Sequence, residues 1–183
     1  MKSLQLDKPH AIVVIGIQGS GKSFFARKFA DTFNAPFLEQ SVFQLAARDE
    51  TAAGQLMDDM IDELLKTNRS VVLELALSSR AERTELTKRL RSAGYVPLLV
   101  WVQVDVDTAM ARAYRTTGTG QGEYRERGRR FSQPHASERS LVISGKHTFA
   151  TQAKAVLKKL SSPRPVQTPA PRAQPSRGQI IVR

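Results

Sequence analysis

The chain has no cysteine, one tryptophan, three histidines and 17 acidic residues against 28 lysines and arginines. Without thiols there is neither a disulfide nor a thiolate metal site, so packing alone must hold the fold. His10, His135 and His147 show no metal-ligand spacing and read as surface or loop residues. No apolar run approaches the ~20 residues needed to span a bilayer. The opening MKSLQLDKPH lacks the apolar stretch of a signal peptide, so a cytoplasmic location with no membrane attachment is the expectation. The shortage of acid leaves a net charge of +11, which suits polyanionic partners and also supplies plain solubility. At 183 residues, 40% hydrophobic and 25% charged, the composition is that of one globular domain rather than a disordered chain.

The last stretch departs from that composition. Residues 161–183, SSPRPVQTPAPRAQPSRGQIIVR, hold five of the nine prolines, four arginines and no acid. Spaced prolines remove backbone donors and favour extended segments, so this is expected to be a disordered basic tail, a linker or a tether to nucleic acid or a protein, with IIVR as a short docking element. Residues 1–160 form the expected domain. In it, apolar runs at 11–16, 35–38, 70–75, 97–104 and 140–144 alternate with amphipathic stretches near 22–33, 52–66, 79–94, 107–116 and 148–160. Strands that are apolar throughout are buried on both faces, and their alternation with helices predicts an α/β fold with a parallel five-stranded sheet and helices on both faces. SRAE at 79–82 is a capping box for the helix that follows. Asp58, Asp59, Asp62 and Glu63 fall on the outer face of their helix, while Trp101 and Phe43 read as packing residues. Residues 115–133, RTTGTGQGEYRERGRRFSQ, combine glycines and arginines with few apolar side chains, which predicts a mobile basic loop.

The most specific signal is GIQGSGKS at 16–23, which fits GxxxxGK[ST], follows a predicted strand and opens a predicted helix. A P-loop (Walker A) of this kind holds polyphosphate against successive backbone amides and the positive end of a helix dipole. Gly16, Gln18, Gly19, Ser20, Gly21, Lys22, Ser23 and Phe24 are the expected nucleotide-binding residues. A side chain at Gly19 or Gly21 would be expected to obstruct the phosphates. Lys22 supplies a cation for the β and γ phosphates, and the Ser23 hydroxyl is placed to ligate Mg²⁺. The expected cofactors are therefore ATP and Mg²⁺.

The other parts of a phosphoryl-transfer site should lie at the carboxyl ends of neighbouring strands. Glu39, after the second strand, could accept the proton of an acceptor hydroxyl. Glu74 ends the third strand among aliphatics, where an acid is costly unless paired or near a metal, and is assigned to Mg²⁺. Arg112 and Arg115, three apart on the helix after the fourth strand, could close over the γ phosphate, with some of Arg125, Arg127, Arg129 and Arg130. Lys22, Glu39, Arg112 and Arg115 are the expected catalytic set.

With these residues in place, the chain resembles the small P-loop kinases of the adenylate-kinase-like group, the subfamily that includes polynucleotide 5′-kinases, gluconate kinases and zeta-toxin-like kinases. The resemblance covers about 11–160 and is carried by GIQGSGKSFFARKFA. RSVVLELALSSRAERTEL is similar to a segment that usually reads VVxDATNxxxxxR, and LLVWVQVDVDTAMARAYR is similar to the strand and lid-entry helix that follow. It implies a parallel core, a mobile lid, adenine near SGKHT (144–148), and transfer of the ATP γ phosphate to a hydroxyl of an unidentified acceptor, anionic or nucleic acid. Two departures stand out. Glu39 and Gln40 occupy positions where aspartates are usual, and Ala76 and Leu77 replace threonine and asparagine. They support an alternative: a catalytically weak ATP-binding regulator whose lid and tail bind a protein or nucleic acid.

Overall fold

A strand buried on both faces must satisfy two cores at once, and HAIVVI does so. In β1 (His10–Ile15), Ile12 and Val14 enter one apolar cluster, while Ala11, Val13 and Ile15 enter the other. The structure, a computed structural model, describes residue 4 and residues 6–162. The basic tail expected at 161–183 lies, from residue 163 on, outside the described residues.

Five parallel strands run in the order β2-β3-β1-β4-β5, with β2 at Phe37–Glu39, β3 at Val71–Glu74, β4 at Val96–Gln103 and β5 at Ser140–Ser144. The chain leaves β1, crosses β3 to form β2, and later passes to β4 on the other side. The crevice at this reversal is where open sheets of this kind bind ligands. Helices α1 (Lys22–Phe33) and α7 (Phe149–Leu160) cover one face through Phe25, Phe29, Val156 and Leu160. Helices α3 (Glu50–Lys66) and α4 (Arg80–Ser92) cover the other through Ile61, Leu65 and Leu90. The expected α/β sandwich is therefore observed.

Helix ends follow local chemistry. The Ser79–Glu82 capping box starts α4 as expected, and Asp49 accepts from the Ala52 amide at 2.8 Å to start α3. The acidic face of α3 is not simply solvated: Asp58 and Asp62 both bind Arg89 of α4, at 2.5 and 2.6 Å, and tie the two helices together.

Two helices stand where none was expected. Helix α2 (Gln40–Ala46) follows β2 directly. The predicted loop at 115–133 contains α6 (Gln121–Arg130), after α5 (Val106–Thr117). Its one large apolar side chain, Tyr124, is 3% exposed against Ala109 and Ala113 of α5, whose small side chains let α6 approach closely. A single aromatic on a pair of alanines thus anchors a segment too polar to show any periodicity.

Candidate functional site

The loop from β1 to α1 is built by close approach. At Gly19, with φ +78°, an added Cβ would lie 2.0 Å from the Ala109 carbonyl oxygen of α5. At Gly21, with φ +94°, it would meet nothing within 4 Å. Gly19 is thus fixed by packing on α5 and Gly21 by backbone conformation, requirements that act in addition to the expected clearance for phosphate. Gly21 caps α1 without a side-chain hydrogen bond, so the first-turn amides keep their donors for an anion. Ser20 is fully buried, and its Oγ has no partner among the described residues.

Parallel register brings the two acids together, because Glu39 ends β2 opposite Glu74 of β3. Lys22 Nζ lies 3.5 Å from Glu74 Oε1, and both side chains are largely buried. Burial pushes the Glu74 carboxyl above its usual range, against the pull of Lys22 and a hydrogen bond from Ser23, and the neighbouring Glu39 charge pushes the same way as burial. Lys22, Ser23, Glu39 and Glu74 therefore form one cluster at the carboxyl end of the sheet. Glu39 is held there by an ion pair with Arg27 and by the Ser41 hydroxyl, which donates to its Oε1 at 2.8 Å. Gln40 accepts from the Ala76 amide at 2.7 Å, bracing the loop after β3.

The remaining expected residues are distributed around this cluster. Gln18 donates from Nε2 to Thr117 and Thr119 at 2.9 and 3.1 Å, and its carbonyl accepts from the Tyr124 hydroxyl at 3.2 Å. The phosphate loop is thus bonded to the end of α5, to the connection that follows it and to α6. Arg112 donates to the Gly145 carbonyl at 3.0 Å, at the turn that packs on Ser20. Arg115 is exposed, and Phe24 is 64% exposed with Lys28 over its ring. In SGKHT, Lys146 pairs with Asp105 at 2.5 Å, and hydrogen bonds from Lys146 and Thr108 hold the Asp105 carboxyl far below its usual range.

A cleft of about 1050 Å³ opens beside Lys22, lined by Gln40, Ser41, Arg48, Ala76, Leu77 and Arg130 among others. Several residues of this region were not singled out from the sequence. Arg27 acts across from α1 to β2, a contact that leaves no spacing signal. Arg83 was legible, because it falls on the last position of VVxDATNxxxxxR. Its side chain is 1% exposed, and its Nε and Nη2 donate to Glu138 at 2.7 and 3.2 Å. Its Nη1 donates to the carbonyls of Leu77, Ser78 and Ser132 at 3.3, 3.4 and 2.9 Å, joining the segment after α6 to the cleft wall.

Residues 12–122 match the protein family described as an AAA domain. Among solved structures, a gluconokinase from Sinorhizobium meliloti 1021 is similar, with TM-score 0.63 and 18% identity over 83% of this chain and 91% of that one. An unliganded sugar kinase from Janibacter sp. HTCC2649 aligns with TM-score 0.64 and 15% identity over 82% of this chain and 93% of that one. Kti12 from Chaetomium thermophilum, in complex with ADP-AlF3, aligns with TM-score 0.61 and 16% identity over 82% and 96%. At these identities the likeness is one of fold. No curated protein matches the chain in sequence.

Proposed function

This chain belongs to the AAA domain family, and from that premise we propose that it is an ATP- and Mg²⁺-dependent phosphotransferase acting on a hydroxyl of an acceptor held beside Lys22. The observation that carries the reading is the cluster of Lys22, Ser23, Glu39 and Glu74 at an α1 N-terminus whose amides no side chain caps. The amides of residues 19–21 and Lys22 bind the phosphates. Lys22 exchanges a 3.5 Å contact with Glu74 for phosphate oxygens. One hydroxyl and one carboxylate suit Mg²⁺, which is usually bound through one or two carboxylates while phosphates and water complete its shell. Ser23 and Glu74 would hold it there, where it would neutralise charge on the phosphate oxygens. Glu39 orients the acceptor hydroxyl, and Arg112 and Arg115, on the helix packed against the phosphate loop, would turn their side chains toward the γ phosphate. The net charge of +11 favours an anionic acceptor, whether a nucleic-acid end or a phosphorylated metabolite, while Arg48 and Arg130 on the cleft wall are paired with Asp49 and Glu126.

The test is a screen for transfer of labelled γ phosphate to sugars, nucleosides, oligonucleotide ends and phosphorylated metabolites, run beside Lys22→Ala. Transfer by the wild type alone is the expected result. A specific observation favours a second reading, a nucleotide-dependent regulator with little turnover. Both Glu39 oxygens are engaged by Arg27 and Ser41, and the loop after β3 offers Ala76 and Leu77 to an acceptor. Tight MgATP binding with no product across the panel, and a partner whose capture requires MgATP, would establish that reading instead.

A further inference from the structure

The lid helix α6 has a cavity on each side. Ile17, Tyr124, Gly128 and Phe131 line both the cleft beside Lys22 and a second cavity of about 660 Å³ over the end of β4. The second cavity has an aromatic floor, with Trp101 and Phe131 rings 6.2 Å apart and tilted by 39°. Val104 and Val106 add aliphatic wall. Its size and apolar lining are those of a small-molecule site, and Gln103 and Gln133 add polar groups to the lining.

The charge at its mouth is unbalanced. Arg125 and Arg129, one turn apart on α6, both line the cavity. Among the described residues neither is paired with a carboxylate, whereas Arg130 on the cleft side pairs with Glu126 at 3.4 Å. The one acid that lines the cavity, Asp105, is taken by Lys146 at 2.5 Å and by the Thr108 amide at 2.9 Å. Two guanidiniums without counterions beside a pair of aromatic rings attract an anion with a flat apolar body.

We propose that this cavity is a second binding site, separate from the phosphate loop, for a small planar apolar anion such as an aromatic carboxylate or aryl phosphate. Its ring system lies on Trp101 and Phe131 and its anionic group meets Arg125 and Arg129. Because Tyr124 and Ile17 form the common wall, a ligand here bears on the same helix that bonds the phosphate loop through Gln18.

Trp101 is the one tryptophan of the chain, so its emission reports this cavity alone. The full chain is titrated with 1-anilinonaphthalene-8-sulfonate, with energy transfer from Trp101 as the readout. One saturable site per chain that saturating MgATP does not displace is expected. In Arg125→Gln/Arg129→Gln its affinity should fall by about tenfold or more. The uncharged N-phenyl-1-naphthylamine should bind wild type and variant alike, which shows that the exposed substitutions leave the cavity formed. No saturable transfer in the wild type, equal dye affinity in the double variant, or displacement by MgATP would each overturn the proposal. Lys22→Ala should retain dye binding, so a failure of the phosphotransferase reading leaves this result standing.

Discussion

Two glycines of one motif should respond differently to the same methyl group. In Gly21→Ala the added Cβ meets nothing within 4 Å, and only the backbone objects, at φ +94°. A left-handed conformation costs an L-residue about 1–2 kcal/mol. The reduced freedom of the unfolded chain returns about 0.4–1 kcal/mol, leaving a net loss of roughly 1 kcal/mol. Gly19→Ala carries the same backbone penalty at φ +78° and also drives Cβ to 2.0 Å from the Ala109 carbonyl oxygen, inside α5. That oxygen belongs to a helix backbone and cannot rotate away, so α5 must shift by about an ångström. Overpacking of this kind costs about 1–3 kcal/mol more. Urea unfolding without nucleotide should therefore place Gly19→Ala about 1–3 kcal/mol below Gly21→Ala, and both below wild type. Calorimetry with MgATP then separates stability from binding. Gly21→Ala should weaken binding by distorting the amide row, and Gly19→Ala by displacing the loop from α5. Equal stabilities for the two variants would refute the assignment of Gly19 to helix packing.

Arg83→Met should destabilise the protein by about 3–5 kcal/mol, because it leaves the carboxylate of Glu138 without its partner; adding Glu138→Leu should recover part of that loss in urea unfolding. The acid limb of stability carries opposite signs at two residues. Burial would raise Glu138, but hydrogen bonds from Arg83 and the His135 amide prevail and hold it below its ordinary 4.5, so its contribution is present above that value and lost as pH falls through the depressed pKa. Glu74 is raised above 4.5 by burial, so its ionisation erodes stability as pH rises from 4.5 toward its folded value. Thermal melts across pH should show a flattened acid limb in Glu138→Gln and a gain toward neutrality in Glu74→Gln. Arg27→Gln removes the anchor of Glu39 at a partly exposed pair, which contributes about 1 kcal/mol or less. MgATP affinity should hold while the rate of phosphoryl transfer falls by about 10- to 100-fold, as misplacement of a positioning group predicts.

The parts of this protein that were legible in its sequence are those whose cause is local. Five apolar runs became the five strands within a residue or two, since burial on both faces leaves a continuous signature. The Ser79 capping box and the loop GIQGSGKS were equally readable, as each is a bond pattern closed within a few residues. The juxtaposition of Glu39 and Glu74 followed once the strands were placed, because parallel register aligns their carboxyl ends. What escaped depends on partners far along the chain. Helix α6 has no periodicity of its own, and its position is set by Tyr124 on Ala109 and Ala113 and by the bond to Gln18.

That distinction bears on how the site would work. The groups that would meet phosphate sit on the loop after β1, on α1 and at the end of β3, elements anchored in the core. The groups that would close over an acceptor sit on α6 and the segment after it, held by Tyr124 on Ala109 and Ala113 and by a few polar contacts: Gln18 at one end and Arg83 with Glu138 at the other. Segments held by few contacts open at low free energy, and lids are drawn from that class. Both of these anchors run to the walls of the cleft, Gln18 in the phosphate loop and Arg83 behind Leu77 and Ser78. In the proposed site, lid position and occupancy of the cleft would be coupled through Gln18 and Arg83, whether a bound nucleotide is turned over or only sensed.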